Sequence, residues 1–463
     1  MSGPFGKACR ALLSACCWLG CAPGPVAAPD VFVITLDTTR ADHLGIYGYE
    51  RDTSPSLDAF AGEAVTFTRA WAAGAWTLPT HASILTGRNV SNHGARFDIA
   101  APNTSLSQVF EGEFFEKYKA NRLHEDETTL AELLAERGYA TGIFAGGPWL
   151  APPFGLTQGY QNVEAHFDSV SGQTAEQLTD RLLAWLATLP DDQPVHALVN
   201  YFDPHSPWEP PPGFDDLPGV RIPLDPKQDQ VFINDGVPLH PSQRVAMIDR
   251  YDGEIRYMDF HLGRLLDGLK RAGRYADALI VIVADHGELF GEHGVVGHGR
   301  WLYEAVVRIP LLIRFPGARD GGTVESTTIS QVDLLPLIAA ETSLPLPANV
   351  DGLPLGERES SLAEAFRDPF SVNHYGKRYD RDLAALFRWP WKLIASDAGR
   401  LELYDLESDP AEANNQRDGA IGKRLLGELA AAQAALHPRT ESAPPTGVPP
   451  ELQRELQQLG YIE

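Results

Sequence analysis

Four apolar runs without polar alternation organise the chain: VFVITLD over 31–37, YATGIFAG over 139–146, VHALVNYF over 195–202 and ALIVIVADHG over 278–287. Such runs read as strands buried on both faces, the signature of a parallel sheet covered by helices. Helical periodicity fills the intervals. TTLAELLAERG (128–138) is an amphipathic helix stopped at Gly138, and a second helix is expected over roughly 174–189. A third spans 244–272, with Val245, Ile248, Ile255, Met258, Leu262, Leu265, Leu266 and Leu269 at near-helical spacing. Alternating strands and helices predict an α/β class with a doubly wound, mostly parallel sheet. Ligands of such sheets sit beyond the carboxyl ends of the strands, where Asp37, Asp203 and Asp285 each follow an apolar run.

Two stretches interrupt the pattern as insertions, 103–127 and the Pro/Asp-rich 209–242, the second read as a loop over the site. From about 350 the elements shorten, with a strand pair expected in LAALFRWPWKLIAS and LELYDLESDP and a final helix at 450–459. The expected organisation is a signal segment at 1–21, a linker at 22–29, a catalytic α/β domain at 30–349 and a small α+β subdomain with a terminal helix at 350–463. No internal repeat is visible.

The net charge of −24 argues against a nucleic-acid partner, since no basic surplus exists to displace counterions from phosphates. All 4 cysteines (Cys9, Cys16, Cys17 and Cys21) precede residue 22, so the body of the chain has neither a disulfide nor a thiol nucleophile. Lys7 and Arg10 ahead of ALLSACCWLG form a secretory signal too short for a permanent span. LSAC and WLGC, ending at Cys16 and Cys21, both resemble lipobox sequences, and Cys21 leaves the longer apolar run before it. The expectation is an extracytoplasmic protein lipid-anchored at Cys21, with membrane contact only through that anchor; a plain cleaved signal is the alternative. The sequons at Asn89 and Asn103 are no more than chance supplies.

Candidate chemistry gathers where strands end. Asp37, then Asp285 and His286 in ADHGELFGEHGVVGHG, with His293 and His298 beyond, are ligand types for divalent ions. His293 reads as a loop residue. AWTLPTHASILTGR (75–88) sets Thr77 at the start of a helix, where a capping hydroxyl and a nucleophile are compatible because the helix N-terminus favours an anion.

In order along the chain, LDTTRADHLGIYGY, TLPTHASILTGR, YFDPHSPWEPP, YDGEIRYMDFHLGRLLDGL, ADHGELFGEHGVVGHG, VVRIPLLIRFPG and LYDLESDPAEANN resemble the motif blocks of the sulfatase family, within the alkaline phosphatase superfamily. The resemblance runs from residue 30 to the end and implies an alkaline phosphatase-like fold. It also has four departures. Thr77 stands where sulfatases convert Cys or Ser to formylglycine, His81 where the modification motif has arginine, and Thr38 where the opening pair has a second Asp. AGGPWL (145–150) replaces GKWHLG, whose Lys and His hold the sulfate.

What remains resembles superfamily members that act on phosphate or phosphonate esters through a metal. Carried over position by position, Asp37, Thr77, Asp285 and His286 would bind one divalent ion (manganese, zinc or calcium), with Thr77 as nucleophile. His205 and His298 would contact an anionic ester substrate or protonate its leaving group. Thr38, Arg40, His81 and Asp203 would support the metal site or the substrate, although Arg40 reads equally as a structural ion pair. The Asp203–His205 spacing departs from that of two-metal phosphodiesterases. The resulting expectation is a hydrolase or transferase of phosphate or phosphonate esters. Sulfate-ester hydrolysis by Thr77 without formylglycine is the first alternative, and an inactive lipid-anchored binding protein the second.

Overall fold

The computed structural model describes residues 28–98, 103–111, 113–167, 172–215, 239–416 and 419–439. The signal segment, its cysteines, the expected helix at 450–459 and residues 216–238 of the second insertion lie outside them.

The central sheet has eight strands: β1 (Val31–Leu36), β2 (Val65–Phe67), β3 (Ala140–Ala145), β4 (Asn162–Glu164), β5 (Val195–Tyr201), β6 (Leu279–Ala284), β7 (Leu311–Arg314) and β8 (Val324–Glu325). Their spatial order is β8-β2-β7-β6-β1-β5-β3-β4. All neighbours are parallel except β7, which runs antiparallel to both β2 and β6. The wholly apolar β1 lies between β5 and β6, with Leu36 level with Tyr201 and Ala284. That register brings the residues after β1, β5 and β6 to one edge together.

The helices that cover the sheet begin at sequence-encoded caps. In α1 (Thr77–Thr86), every residue is buried. Both α2 (Leu130–Ala135) and α3 (Ala175–Leu186) open on capping boxes, Thr129 with Glu132 and Thr174 with Gln177. The long α4 (Pro241–Arg271) starts before the expected residue 244, because His240 caps it and Pro241 is preset for its first turn. No helix among the described residues is long and apolar enough to cross a membrane.

A second, antiparallel sheet follows, formed by β9 (Ser361–Ala365), β10 (Leu383–Arg388), β11 (Trp391–Ser396) and β12 (Leu401–Asp405) in that order. Leu425 and Leu429 of α5 (Ala420–Ala434) pack on it. The fully buried Lys392 of β11 lies 2.7 Å from Glu412 and 3.1 Å from Glu304, tying this sheet to the segment beyond β6.

Candidate active site

Asp37 leaves the end of β1 completely buried, with its backbone N–H donating to Tyr201 O at 2.8 Å. Asn200 of β5 donates to its Oδ2 at 3.2 Å, and Oδ1 has no hydrogen-bond partner. Asp285, just past β6, accepts from the N–H groups of Thr38 (3.1 Å) and His286 (2.7 Å) through Oδ1, while its Oδ2 has no donor. His286 Nδ1 lies 2.9 Å from Gly287 O, which fixes it as the protonated nitrogen and leaves Nε2 as a lone pair. That Nε2 is 3.3 Å from the unpartnered Asp285 Oδ2 and 3.4 Å from Thr77 Oγ1.

Ligand atoms of Asp37, Asp285 and His286 lie within 4.8 Å of one another. Burial and the charge of the other acid raise Asp37 well above the carboxylate range, and burial carries Asp285 to about 7. Burial and the nearby His298 hold His286 well below the usual imidazole value, so it is neutral. Two orphaned carboxylate oxygens facing an imidazole lone pair in a buried pocket are what a divalent cation satisfies. The residues present therefore fit the metal that the sequence implies.

Thr77 is the first residue of α1, with Trp76 flanking the helix, so its hydroxyl is not spent on a cap. The hydroxyl is buried at the helix N-terminus beside the cluster. One turn on, His81 places Nδ1 2.9 Å from Thr77 O and Nε2 3.0 Å from Thr35 Oγ1, and burial lowers it to about 4. It is a neutral buttress beneath Thr77. Thr38 adopts φ 53°, and its buried hydroxyl has no partner.

The remaining imidazoles adjoin this cluster. The His298 ring is 4.4 Å from that of His286 and 5.2 Å from that of His205. Burial and the His298 charge lower His205 to about 3, and its ring stacks on Phe202 at 4.4 Å and 18°. Phe202 also explains AGGPWL. A Cβ on Gly147 would lie 2.8 Å from the Phe202 ring, and one on Gly146 would lie 2.5 Å from the Asn200 backbone oxygen and 2.6 Å from Phe202 Cβ, so β5 and the Phe202 that follows it fill space that longer side chains at 146 and 147 would need.

Two of the sequence-predicted residues point elsewhere. The guanidinium of Arg40 is held by Asp42 (2.6 Å) and Glu292 (2.9 Å), which makes it a structural ion pair. Asp203 accepts the Ala175 N–H at 3.0 Å, neutralising the start of α3, because the turn after β5 carries it to that helix. His293 stacks on Tyr303 at 3.6 Å, away from the ligand cluster.

Two groups escaped sequence reasoning. Asn200 is the one polar side chain near the end of VHALVNYF, an oddity that was a usable signal. Glu288 follows the DHG triplet directly and holds His298 Nδ1 at 3.0 Å. Together the cluster can hold a dication, present a hydroxyl to an electrophile and move a proton at His298.

Residues 29–342 match the sulfatase family, and residues 291–436 match the family described as N-sulphoglucosamine sulphohydrolase, C-terminal. The chain is 22% identical over 481 residues to an N-acetylglucosamine-6-O-sulfatase of Bacteroides thetaiotaomicron, covering 84% of this chain and 82% of that one. It is 22% identical over 450 residues to an arylsulfatase of Clostridium perfringens, covering 84% and 90%. Among solved structures, the phosphonate monoester hydrolase of Agrobacterium radiobacter superposes with a TM-score of 0.65 at 21% identity, covering 88% of this chain and 95% of that one. A protein in complex with its substrate D-glucosamine-2-N,6-O-disulfate gives 0.69 at 18% identity, covering 94% and 99%. At these identities the solved structures establish a common fold.

Proposed function

The chain belongs to the sulfatase family of metal-dependent ester hydrolases, and from that premise we propose that it cleaves phosphate or phosphonate esters with Thr77 as nucleophile. The observation that carries the reading is the Thr77 hydroxyl at a helix N-terminus, 3.4 Å from His286 Nε2 and beside two orphaned carboxylate oxygens. Threonine oxidation gives a ketone, so the aldehyde hydrate on which the family's sulfate chemistry depends is out of reach at this position.

Asp37, Asp285, His286 and the Thr77 oxygen would hold the divalent ion. The chemistry supplied there by a bound ion is charge neutralisation, favouring the alkoxide of Thr77 and offsetting a non-bridging substrate oxygen. Thr77 Oγ1 loses its proton to solvent and bonds to phosphorus, and the P–O bond to the leaving group breaks. His298 gives the departing oxygen a proton. Water then attacks phosphorus, returns a proton to His298 and frees Thr77; another alcohol in its place would make the reaction a transfer. Two carboxylates, a dication and an alkoxide sum to one negative charge. A singly charged diester or phosphonate monoester is therefore easier to admit than a dianion.

The decisive experiment offers manganese-, zinc- or calcium-loaded protein four aryl substrates: a phosphodiester, a phosphonate monoester, a phosphomonoester and a sulfate, with Thr77→Ala as control. Cleavage of phosphorus esters, lost in Thr77→Ala, is expected. Cleavage of the sulfate alone would replace this reading with sulfate-ester hydrolysis by an unmodified threonine, the reading favoured by the names of the curated relatives.

A further inference from the structure

Near the catalytic cluster lies a group of arginines, most of them paired with acids, in a protein whose net charge is −24. Its centre is Arg381, whose guanidinium carbon sits 4.3 Å from the Trp301 ring centre. The Arg381 Nε and Nη2 atoms are buried without a hydrogen-bond partner. Arg378 lies over the same ring at 5.6 Å and over Tyr379 at 5.0 Å.

Neighbouring arginines are neutralised: Arg300 by Asp368 at 3.2 Å, Arg400 by Glu402 at 2.9 Å, and Arg367 by Asp380, Asp382 and Asp397. Arg378 and Arg381 form no ion pair among the described residues. Two guanidinium N–H groups withdrawn from water without an acceptor are costly and are uncommon as mere packing. Burial, with Arg400 and Arg378 nearby, lowers the Arg381 pKa despite the opposing pull of Tyr303 and Glu402.

The position connects this charge to the catalytic site. Arg381 shares a narrow cleft with Arg300, Phe366, Arg367, Asp368 and Tyr379. Trp301 is three residues beyond His298, a reach of roughly 10 Å at most. Gly299 N donates to Ala75 O at 2.8 Å, two residues before Thr77. On the other side Phe366 lies under Arg96 at 3.9 Å, and the adjacent Phe97 stacks on Trp76 at 4.0 Å. Two independent chains of contact thus lead from the cleft to the nucleophile.

We propose that Arg381, with Arg378 beside it, is a second anion-binding subsite, taking a carboxylate, sulfate or phosphate carried by the same substrate on the order of 10 Å from the cleaved ester. The planar fork of Arg381 matches two oxygens of such a group, and Trp301 holds that fork in one orientation. The substrate is then an ester with at least two acidic groups. This subsite presupposes the reading of Thr77 and its neighbours as acting on an anionic ester.

The test compares p-nitrophenyl phenylphosphonate with two analogues whose phenyl ring bears, on a flexible tether, either a carboxylate or a sulfonate. Wild type is expected to prefer at least one tethered acid, and Arg381→Met to reduce that preference, as a ratio of kcat/KM values, about ten- to hundredfold. Arg381→Lys should recover part of it. A merely structural arginine would lower all three rates together, leaving the ratio unchanged and the melting temperature reduced; that result overturns the subsite. If wild type cleaves none of the esters, the catalytic reading fails by itself. Calorimetry with the tethered compounds then decides the subsite: binding weakened tenfold or more in Arg381→Met supports it, and equal affinity overturns it.

Discussion

Glu288 holds Nδ1 of His298 between both carboxylate oxygens, at 3.0 and 3.2 Å, so the other ring nitrogen of His298 is the one left for chemistry. A fixed tautomer and orientation are what a proton donor needs, and Glu288 is nearly inaccessible, with 1% of its surface exposed. In Glu288→Gln the carboxylate no longer supports the protonated ring. The expected result is a kcat lower by about ten- to hundredfold with little change in KM. A loss appearing only in KM would remove Glu288 from the proton path.

Thr77 is expected to behave as a nucleophile. Thr77→Ser keeps a hydroxyl at the same helix position and should retain activity within about tenfold, whereas Thr77→Ala should lose three or more orders of magnitude, roughly the scale on which catalytic units fail. Mass spectrometry of wild type after brief reaction should find a phosphoryl or phosphonyl group on the peptide containing Thr77. An activity that survives Thr77→Ala would assign the attack to water.

The strands and the main helices were legible because wholly apolar runs and near-3.6-residue periodicity leave little choice of partner. Asp37, Asp285 and His286 were equally legible, since three apolar strands in register must deliver their next residues to one edge. Asp203 was not, and for Arg40 the ion-pair reading is the one the structure bears out. Each stands next to the site in sequence, but Arg40 is claimed by Asp42, two residues on, and by the distant Glu292, and Asp203 by the start of α3. The antiparallel direction of β7 was also hidden, because VVRIPLLIRFPG has the same apolar run in either direction.

Metal binding and stability should be linked with opposite signs in two states. Without metal, Asp37 and Asp285 are two buried acids that each disfavour the other's charge, so Asp37→Asn should raise the melting temperature of chelator-treated protein. With metal, wild type gains the binding free energy and the variant gains less, so the order should reverse. Differential scanning fluorimetry with and without a chelator reads both. Identical ordering in the two conditions would show that these acids do not share an ion.

Lys392 joins the small sheet to the rest of the chain through Glu304 and Glu412 at 3.1 and 2.7 Å. Lys392→Ala leaves the buried Glu412 and the part-buried Glu304 facing a void, and a loss of about 3–5 kcal/mol is expected. Lys392→Met combined with Glu412→Leu should recover much of it, since a well-packed apolar pair removes the desolvation cost. Denaturant unfolding of both variants checks this, and a double variant no better than the single one would mean that packing dominates.

The part-buried Asp203 and the buried Glu254 are acids brought near each other by the turn after β5 and by α4. Burial raises Asp203 to about 7, and burial with the Asp203 charge raises Glu254 to about 8, both well above the ordinary carboxylate range. Both folded-state values exceed the unfolded ones, so the native state binds protons more tightly. Stability from these two groups is therefore fully present below about pH 4 and is lost as pH rises to about 8. Asp203 cannot simply be removed, because it neutralises the Ala175 N–H. Glu254 can be changed, because Gln at 254 still offers an oxygen to the Glu209 N–H, now 2.8 Å from Oε1. Glu254→Gln should thus be more stable than wild type by about 1–2 kcal/mol at pH 8.5 and equal to it near pH 4. Urea unfolding of both proteins at pH 4, 6.5 and 8.5 measures the gap, and a gap that does not widen with pH means that the two carboxylates are not competing for a proton.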